Sequence, residues 1–463
     1  MFRTAVRLAW WAVLPWTLLA APPSVTITNV ARTEAGMSLK WTASSPELQF
    51  TVESQEILGS AWQPVPGPTW PATEAEFTDS RPAVDARFYR VAFEPKPGQR
   101  GRLITATKVS TLNKAIIGFI FSTAGISLVP QYDVDYFKVV YETVDAQGLR
   151  TTASGGLALP VGLTTPKPLM SYQHGTVTER EDVPSRLNTE GYIGVAFATS
   201  GYAAVAPDYV GLGDSPGVHP YMHAQSHATA TIDLLRAART YCSANGVALN
   251  DKLFLTGYSQ GGHATLAALR EIEAVHAAEF TVTACSAGAG AYDLSGTTLQ
   301  DLLQGQPEPN PYYAAFLLNS YTDVYALAPS LGALLRQPWK VTIPPLFNGL
   351  TSGDTINAAM PPAPLDALDP ELVSILRSGQ PHPLRSALQD NDLLAWVPKA
   401  PLRLYACSGD QDVPPANSKV AYDGFRASGA TQVTLQDPGP GLSHGDCAIP
   451  TIVSTLQWFN TLR

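Results

Sequence analysis

The chain has 463 residues, 45% of them hydrophobic and 15% charged, with a formal net charge of −9. That length exceeds one ordinary domain, and that composition excludes a largely disordered chain. The acidic balance disfavours a nucleic-acid partner, because phosphate binding needs a basic surface.

The N-terminus reads as a secretory signal over residues 1–21. Arg3 and Arg7 precede an apolar core from Leu8 to Ala20, and Ala20 and Ala21 offer a small-residue cleavage site before Pro22 and Pro23. The core is shorter than the roughly 20 residues a membrane span requires, and Pro15 interrupts it. Export to the periplasm or the medium is therefore expected over a membrane anchor.

Residues 24–95 form a separate unit. Val25–Thr28, Met37–Trp41, Phe50–Ser54 and Phe88–Val91 alternate apolar and polar side chains with period two, and turn residues separate them. Such spacing predicts a small antiparallel all-β sandwich. Leu39-Lys40-Trp41, Ala61-Trp62-Gln63-Pro64-Val65 and Phe88-Tyr89-Arg90-Val91 resemble the fibronectin type III-like modules of exported bacterial proteins. The resemblance implies a spacer or a unit for contact with a surface or polymer, with Trp41 and Trp62 in its core. Glu94-Pro95-Lys96-Pro97-Gly98 reads as a linker.

From residue 101 to 463 the pattern changes. A hairpin is expected from Phe137–Val144 and Ala153–Pro160 around Asp145-Ala146-Gln147-Gly148. Strands over Pro168–Tyr172, Ala203–Ala206, Leu253–Thr256, Phe280–Ala287 and Leu402–Ala406 then alternate with helical runs such as Ala224–Tyr241. This alternation predicts an α/β domain, a mostly parallel sheet with helices on both faces. Between about 293 and 395 it fails, and a proline-rich stretch with segments such as Tyr312–Leu318 reads as a cap inserted over a site.

The most informative stretch is Gly257-Tyr258-Ser259-Gln260-Gly261, between the apolar Leu253-Phe254-Leu255 and an alanine-rich helical pattern from Gly262 to Ala274. Strand, sharp turn and helix with serine at the turn is the context of a G-x-S-x-G nucleophile elbow. A serine hydroxyl needs a base, ordinarily an imidazole oriented by a carboxylate. Among eight histidines, His276, His382 and His444 follow the first turn of the elbow helix, and only His444 stands in a glycine-rich loop before a final helix. It is the expected base. Ser408-Gly409-Asp410-Gln411-Asp412-Val413-Pro414 follows a strand and supplies the acid. Asp410 is chosen, Asp412 competes with it, and Asp446 is a poor partner for the ring. For an oxyanion hole the Gln260 amide supplies one donor, and Gly175 or Thr176, after the strand ending in Gln173-His174, supplies the other.

His219, His223 and His227 suggest a metal site, with His223 and His227 on one helical face. However, the segment lacks H-E-x-x-H and a carboxylate ligand, so packing near the pocket is the preferred reading. Asp208 and Asp214 read as turn acids, and Gly211-Leu212-Gly213 lacks the third glycine of a dinucleotide site. No cofactor and no metal are implied. None of the four cysteines lies in a C-x-x-C pair. Cys407 and Cys447 flank the loops assigned to acid and base, which must meet, so they are the preferred disulfide. Cys242 and Cys285 fit free buried thiols nearly as well.

Residues from about 130 to 463 resemble the exported α/β-hydrolases of the secretory lipase/esterase group. The matching motifs are Tyr172-Gln173-His174-Gly175-Thr176, Pro207 to Ser215, His219 to Ala224, the elbow, Asp410 to Pro414, and His444. The resemblance implies an α/β-hydrolase fold and cleavage of a small-molecule or lipid ester through an acyl-enzyme. Cys407 stands where the family's loop often has glycine, which leaves Asp410 and Asp412 open as alternatives. A peptidase on the same fold, and an inactive binding or adhesion protein, are the competing readings.

Overall fold

The computed structural model describes residues 25–43, 48–56, 61–82, 84, 86–95, 100–394 and 396–463. The expected signal at 1–21 lies outside the described residues. Near the N-terminus, β1 (Val25–Thr33), β2 (Gly36–Ala43), β3 (Leu48–Gln55), β4 (Gln63–Pro64), β5 (Glu76–Asp79) and β6 (Phe88–Pro95) form two three-stranded antiparallel sheets, β1-β2-β5 and β4-β3-β6. Alternate residues of β2 and β3, namely Leu39, Trp41, Phe50 and Val52, bury together with Val65. This is the period-two pattern of strands with one covered face. Trp62, expected in this core, is instead only partly buried and outside the apolar cluster, with the Arg90 guanidinium 4.8 Å from its ring centroid.

The main sheet has nine strands in the order β15-β14-β13-β12-β10-β11-β9-β8-β7. They are β7 (Leu103–Leu112), β8 (Val134–Val144), β9 (Arg150–Pro160), β10 (Lys167–Gln173), β11 (Ala203–Pro207), β12 (Leu249–Tyr258), β13 (Val282–Gly288), β14 (Leu402–Tyr405) and β15 (Val433–Gln436). The run from β15 to β11 is parallel, and β9, β8 and β7 continue it antiparallel. The middle strands are apolar without a break because both faces are covered. In β12, Leu253 and Leu255 face one core and Phe254 the other. The first core packs α3 (Ala224–Ala244), α4 (Gln260–Val275) and α11 (Ala416–Ala427) on the sheet. The second packs α1 (Lys114–Thr123), α2 (Gly191–Thr199) and α12 (His444–Asn460) on the opposite face.

Between β13 and β14 the chain forms α5 (Leu299–Gln304), α6 (Tyr312–Tyr325), α7 (Trp339–Thr342), α8 (Gly353–Ala359), α9 (Pro370–Ser378) and α10 (Pro383–Asp390). These helices share an apolar cluster around Phe316, Leu318, Ile356 and Leu372, which Tyr221 and Met222 of the main domain join. The insertion is thus an ordered cap with its own core. Cys407 and Cys447 are bonded across 40 residues, whereas Cys242 and Cys285 are free and buried. No helix among the described residues is long and apolar enough to cross a membrane.

Candidate active site

The loops that follow β10, β12 and β14, together with the start of α12, converge where the parallel strands end, the usual position of ligand sites in such sheets. Ser259 sits between β12 and α4 with φ of 59° and ψ of −124°. A non-glycine residue is held at such angles only when its surroundings over-determine it, at a cost of roughly 1–3 kcal/mol. Here the Ser259 amide donates to the Gly288 carbonyl at 2.9 Å. A Cβ on Gly257 would lie 2.3 Å from the Gly261 carbonyl oxygen, and one on Gly261 would lie 1.9 Å from that of Gln173. The two glycines therefore let strand and helix close tightly around the serine.

His444 is the first residue of α12, and its backbone carbonyl accepts from the Tyr258 hydroxyl at 2.7 Å. Its Nε2 lies 2.8 Å from Ser259 Oγ, and its Nδ1 lies 2.6 Å from Asp410 Oδ2. All three residues are buried. The other Asp410 oxygen, Oδ1, accepts from the amides of Asp412 and Val413 at 3.0 and 2.9 Å, which fixes the carboxylate. Asp412 turns to the cap and accepts from Asn310 Nδ2 at 2.6 Å. Asp446 accepts from the Ser443 hydroxyl at 2.6 Å. The Cys407–Cys447 bond ties the turn holding Asp410 to the first turn of α12. Chemically, a hydroxyl, an imidazole and a carboxylate in this order can pass a proton from the serine to the ring.

The remaining histidines occupy other roles. His276 is the C-cap of α4 and His382 the N-cap of α10. His174 is buried, with its ring nitrogens 2.7 and 3.2 Å from the carbonyls of Gly175 and Asp208, and so shapes the loop that carries Gly175 and Thr176. His223 caps α3 rather than sharing a helical face with His227, since the chain leaves Pro220 in a turn and the helix begins only at Ala224. His219 and His227 accept from Gln260 Nε2 at 2.7 and 3.1 Å. Burial pushes His219 down to about 3 and His227 well below its ordinary range, so both rings are neutral at pH 7 and free to accept. This network, which the sequence alone did not reveal, anchors the residue directly after Ser259. Among the described residues no group of His, Cys, Asp and Glu could hold a metal ion.

Asp208 is buried, accepts from Ser154 Oγ and the Ser185 amide, and is pushed up to about 6 by that burial. Asp214 pairs with Lys138 and Arg186. Both acids serve loop geometry away from the serine. A cavity of about 590 Å³ opens on Ser259 and His444, and Gly175, Thr176, Tyr258 and Tyr313 also line it. The larger surface depression near Arg239 and Cys242 shares none of these residues.

A mostly parallel sheet with helices on both faces, a strand–helix elbow bearing serine and an inserted cap define an α/β-hydrolase of the lipase/esterase kind. The secretory lipase family matches residues 185–307. The rice cell wall degrading esterase LipA from Xanthomonas oryzae superposes with a TM-score of 0.72 at 29% identity, over 79% of this chain and 100% of that one. A solved variant of that esterase is 30% identical, with a TM-score of 0.71, over 79% of this chain and 97% of that one. A protein from Legionella pneumophila gives a TM-score of 0.73 at 28% identity, over 78% and 98% of the two chains. Candida antarctica lipase A, 19% identical, shares the fold at a TM-score of 0.54 over 74% of this chain and 78% of its own. No curated protein matches at the level of sequence. The chain belongs to the lipase/esterase family of α/β-hydrolases.

Proposed function

We propose that the protein is an exported serine hydrolase that cleaves carboxylic esters through an acyl-enzyme. The observation that carries this reading is the unbroken hydrogen-bonded series from Ser259 Oγ through His444 to Asp410, at 2.8 and 2.6 Å. Ser259 Oγ attacks the ester carbonyl while His444 Nε2 takes its proton. The tetrahedral oxyanion is held by the backbone amides of Gln260 and of Thr176 or Gly175, donors that each contribute on the order of 100- to 1000-fold. The carbon–oxygen bond to the alcohol breaks, and His444 gives its proton to that leaving oxygen. Water, deprotonated by His444, then attacks the acyl-serine, releases the acid and returns the proton to Ser259. Asp410 holds the ring and balances its transient positive charge.

In the same reading residues 1–21 direct export and are removed. Residues 24–95 form a fibronectin III-like module that contacts a surface or polymer. Residues 101–463 form the hydrolase, with a cap at about 293–395. Ser259→Ala is the direct test on p-nitrophenyl esters. Loss of a triad nucleophile costs on the order of a million-fold in kcat, and labelling by a fluorophosphonate probe should vanish with it. Ester turnover retained in that variant would refute the assignment. Turnover of peptide amides without ester turnover would transfer it to a peptidase.

A further inference from the structure

Gln260 is the first residue of α4 and is buried beside Ser259. Amides in the first turn of a helix have no partner inside it, so the Gln260 amide is available to an oxyanion. The side chain is engaged elsewhere. Its Nε2 donates to His219 Nε2 at 2.7 Å and to His227 Nε2 at 3.1 Å. His219 Nδ1 lies 2.9 Å from the Val210 carbonyl. A carbonyl can only accept, and a neutral imidazole carries one proton, so that proton sits on Nδ1 and Nε2 presents its lone pair. The glutamine atom facing it must be the nitrogen, and the second hydrogen on that nitrogen serves His227. Both hydrogens of the side-chain amide are thereby committed, and the group has one orientation.

The same buried rings reach the other expected oxyanion donor. Tyr209 lies 4.8 Å from the His227 ring and 4.3 Å from that of His174, and its hydroxyl donates to the His174 carbonyl at 3.0 Å. His174 directly precedes Gly175 and Thr176. The immediate surroundings are apolar. Ala230, one turn beyond His227 on α3, and Ala264, one turn beyond Gln260 on α4, cluster with Val183, Tyr209 and Leu212. Further apolar side chains would satisfy packing there, whereas two imidazoles and an amide fix a direction.

We propose that His219 and His227 are positioning residues: through the Gln260 side chain they hold the Gln260 backbone amide aimed at the oxyanion. The proposal rests on the serine-esterase reading and deepens it. A donor aids the reaction most when it is aimed before charge develops. The ground-state ester gains little from it, so its loss falls on kcat rather than on KM.

His219→Leu removes one acceptor and keeps the site filled. On p-nitrophenyl butanoate its kcat should fall about ten- to hundred-fold, because a shift of about 1 Å at a catalytic centre costs on the order of 100-fold. KM should stay within about three-fold, as expected when only transition-state binding is lost. His219→Gln offers an amide oxygen in place of Nε2 and should return kcat to within about five-fold of the wild type. Equal losses in the two variants, or a loss confined to KM, overturn the proposal. His227→Leu and His227→Gln replace this pair if His219→Leu does not fold. The imidazole ¹⁵N shifts of the wild type test the arrangement without turnover. Both rings should carry their proton on Nδ1, and a proton on His219 Nε2 overturns the proposal. A wild type with both rings in the Nδ1–H form that turns over no ester sustains the anchoring of Gln260 and sinks the esterase reading.

Discussion

Asp410 and Asp412, two residues apart in one turn, face opposite sides of the active-site rim: Asp410 reaches His444 Nδ1 at 2.6 Å, and Asp412 reaches Asn310 of the cap at 2.6 Å. The Asp412 amide also donates to Asp410 Oδ1, so the second acid helps hold the first through its backbone. Asp410→Asn should lower kcat on a p-nitrophenyl ester by about 10,000-fold, as loss of an orienting carboxylate does. Asp412→Asn should stay within a few-fold. Parallel kinetics on the two variants decide the matter, and the reverse order of effects would exchange their roles.

The disulfide couples that turn to the histidine. It closes a loop of 40 residues between Cys407 and Cys447, which on loop-entropy grounds stabilises the fold by about 4 kcal/mol. Cys407→Ser with Cys447→Ser should lower the urea midpoint accordingly and also reduce ester turnover, because Asp410 and His444 lose a shared tether. A midpoint equal to that of the wild type would dismiss the tether.

Gly261 has no room for a side chain. A Cβ there would lie 1.9 Å from the Gln173 carbonyl oxygen and 2.8 Å from that of His174. Gly261→Ala must push α4 away from the end of β10, and with it the Gln260 amide from the loop of Gly175 and Thr176. A displacement of about 1 Å at a catalytic centre costs on the order of 100-fold. Turnover should therefore fall at least that far even where circular dichroism stays native; full activity would mean that the elbow is looser than its contacts imply.

His219 makes stability depend on pH. Its folded-state value is pushed down to about 3 by burial, against about 6.5 in the unfolded chain. Between these values the unfolded state binds a proton that the native state refuses, so this residue's contribution is intact above pH 6.5 and declines as pH falls. At pH 4.5 the loss amounts to about 2–3 kcal/mol. His219→Gln removes it. The wild type's stability advantage over that variant, measured by denaturation at pH 7.5 and again at 4.5, should narrow by about this amount. A gap independent of pH would show that His219 does not titrate differently in the two states.

Local pattern carried much of this molecule. The hairpin of β8 and β9 and the buried strands β10 to β13 were legible because they are long or apolar on both faces, and the cap was legible as a break in the alternation. Strands β7 and β15 were not. β7 is largely exposed along its length, and β15 has four residues of which only Val433 is buried. Trp62 was misplaced because it stands just outside the two-residue strand β4, where no local pattern marks depth, and Arg90 of β6 meets its ring.

By itself the sequence determined the elbow, since glycine, serine and glycine between an apolar strand and a helix encode a tight turn within five neighbouring residues. By chain order it also made His444 the expected base. Only the tertiary structure set Asp410 rather than Asp412 against His444, joined Gln260 to His219 and His227, and laid α1 and α2 against α12 to enclose a trough. The physical reason is range. Turn chemistry acts between neighbours in the chain, whereas a choice between two carboxylates in one turn, or the shape of a cavity walled by helices hundreds of residues apart, exists only once the sheet brings its strand ends together.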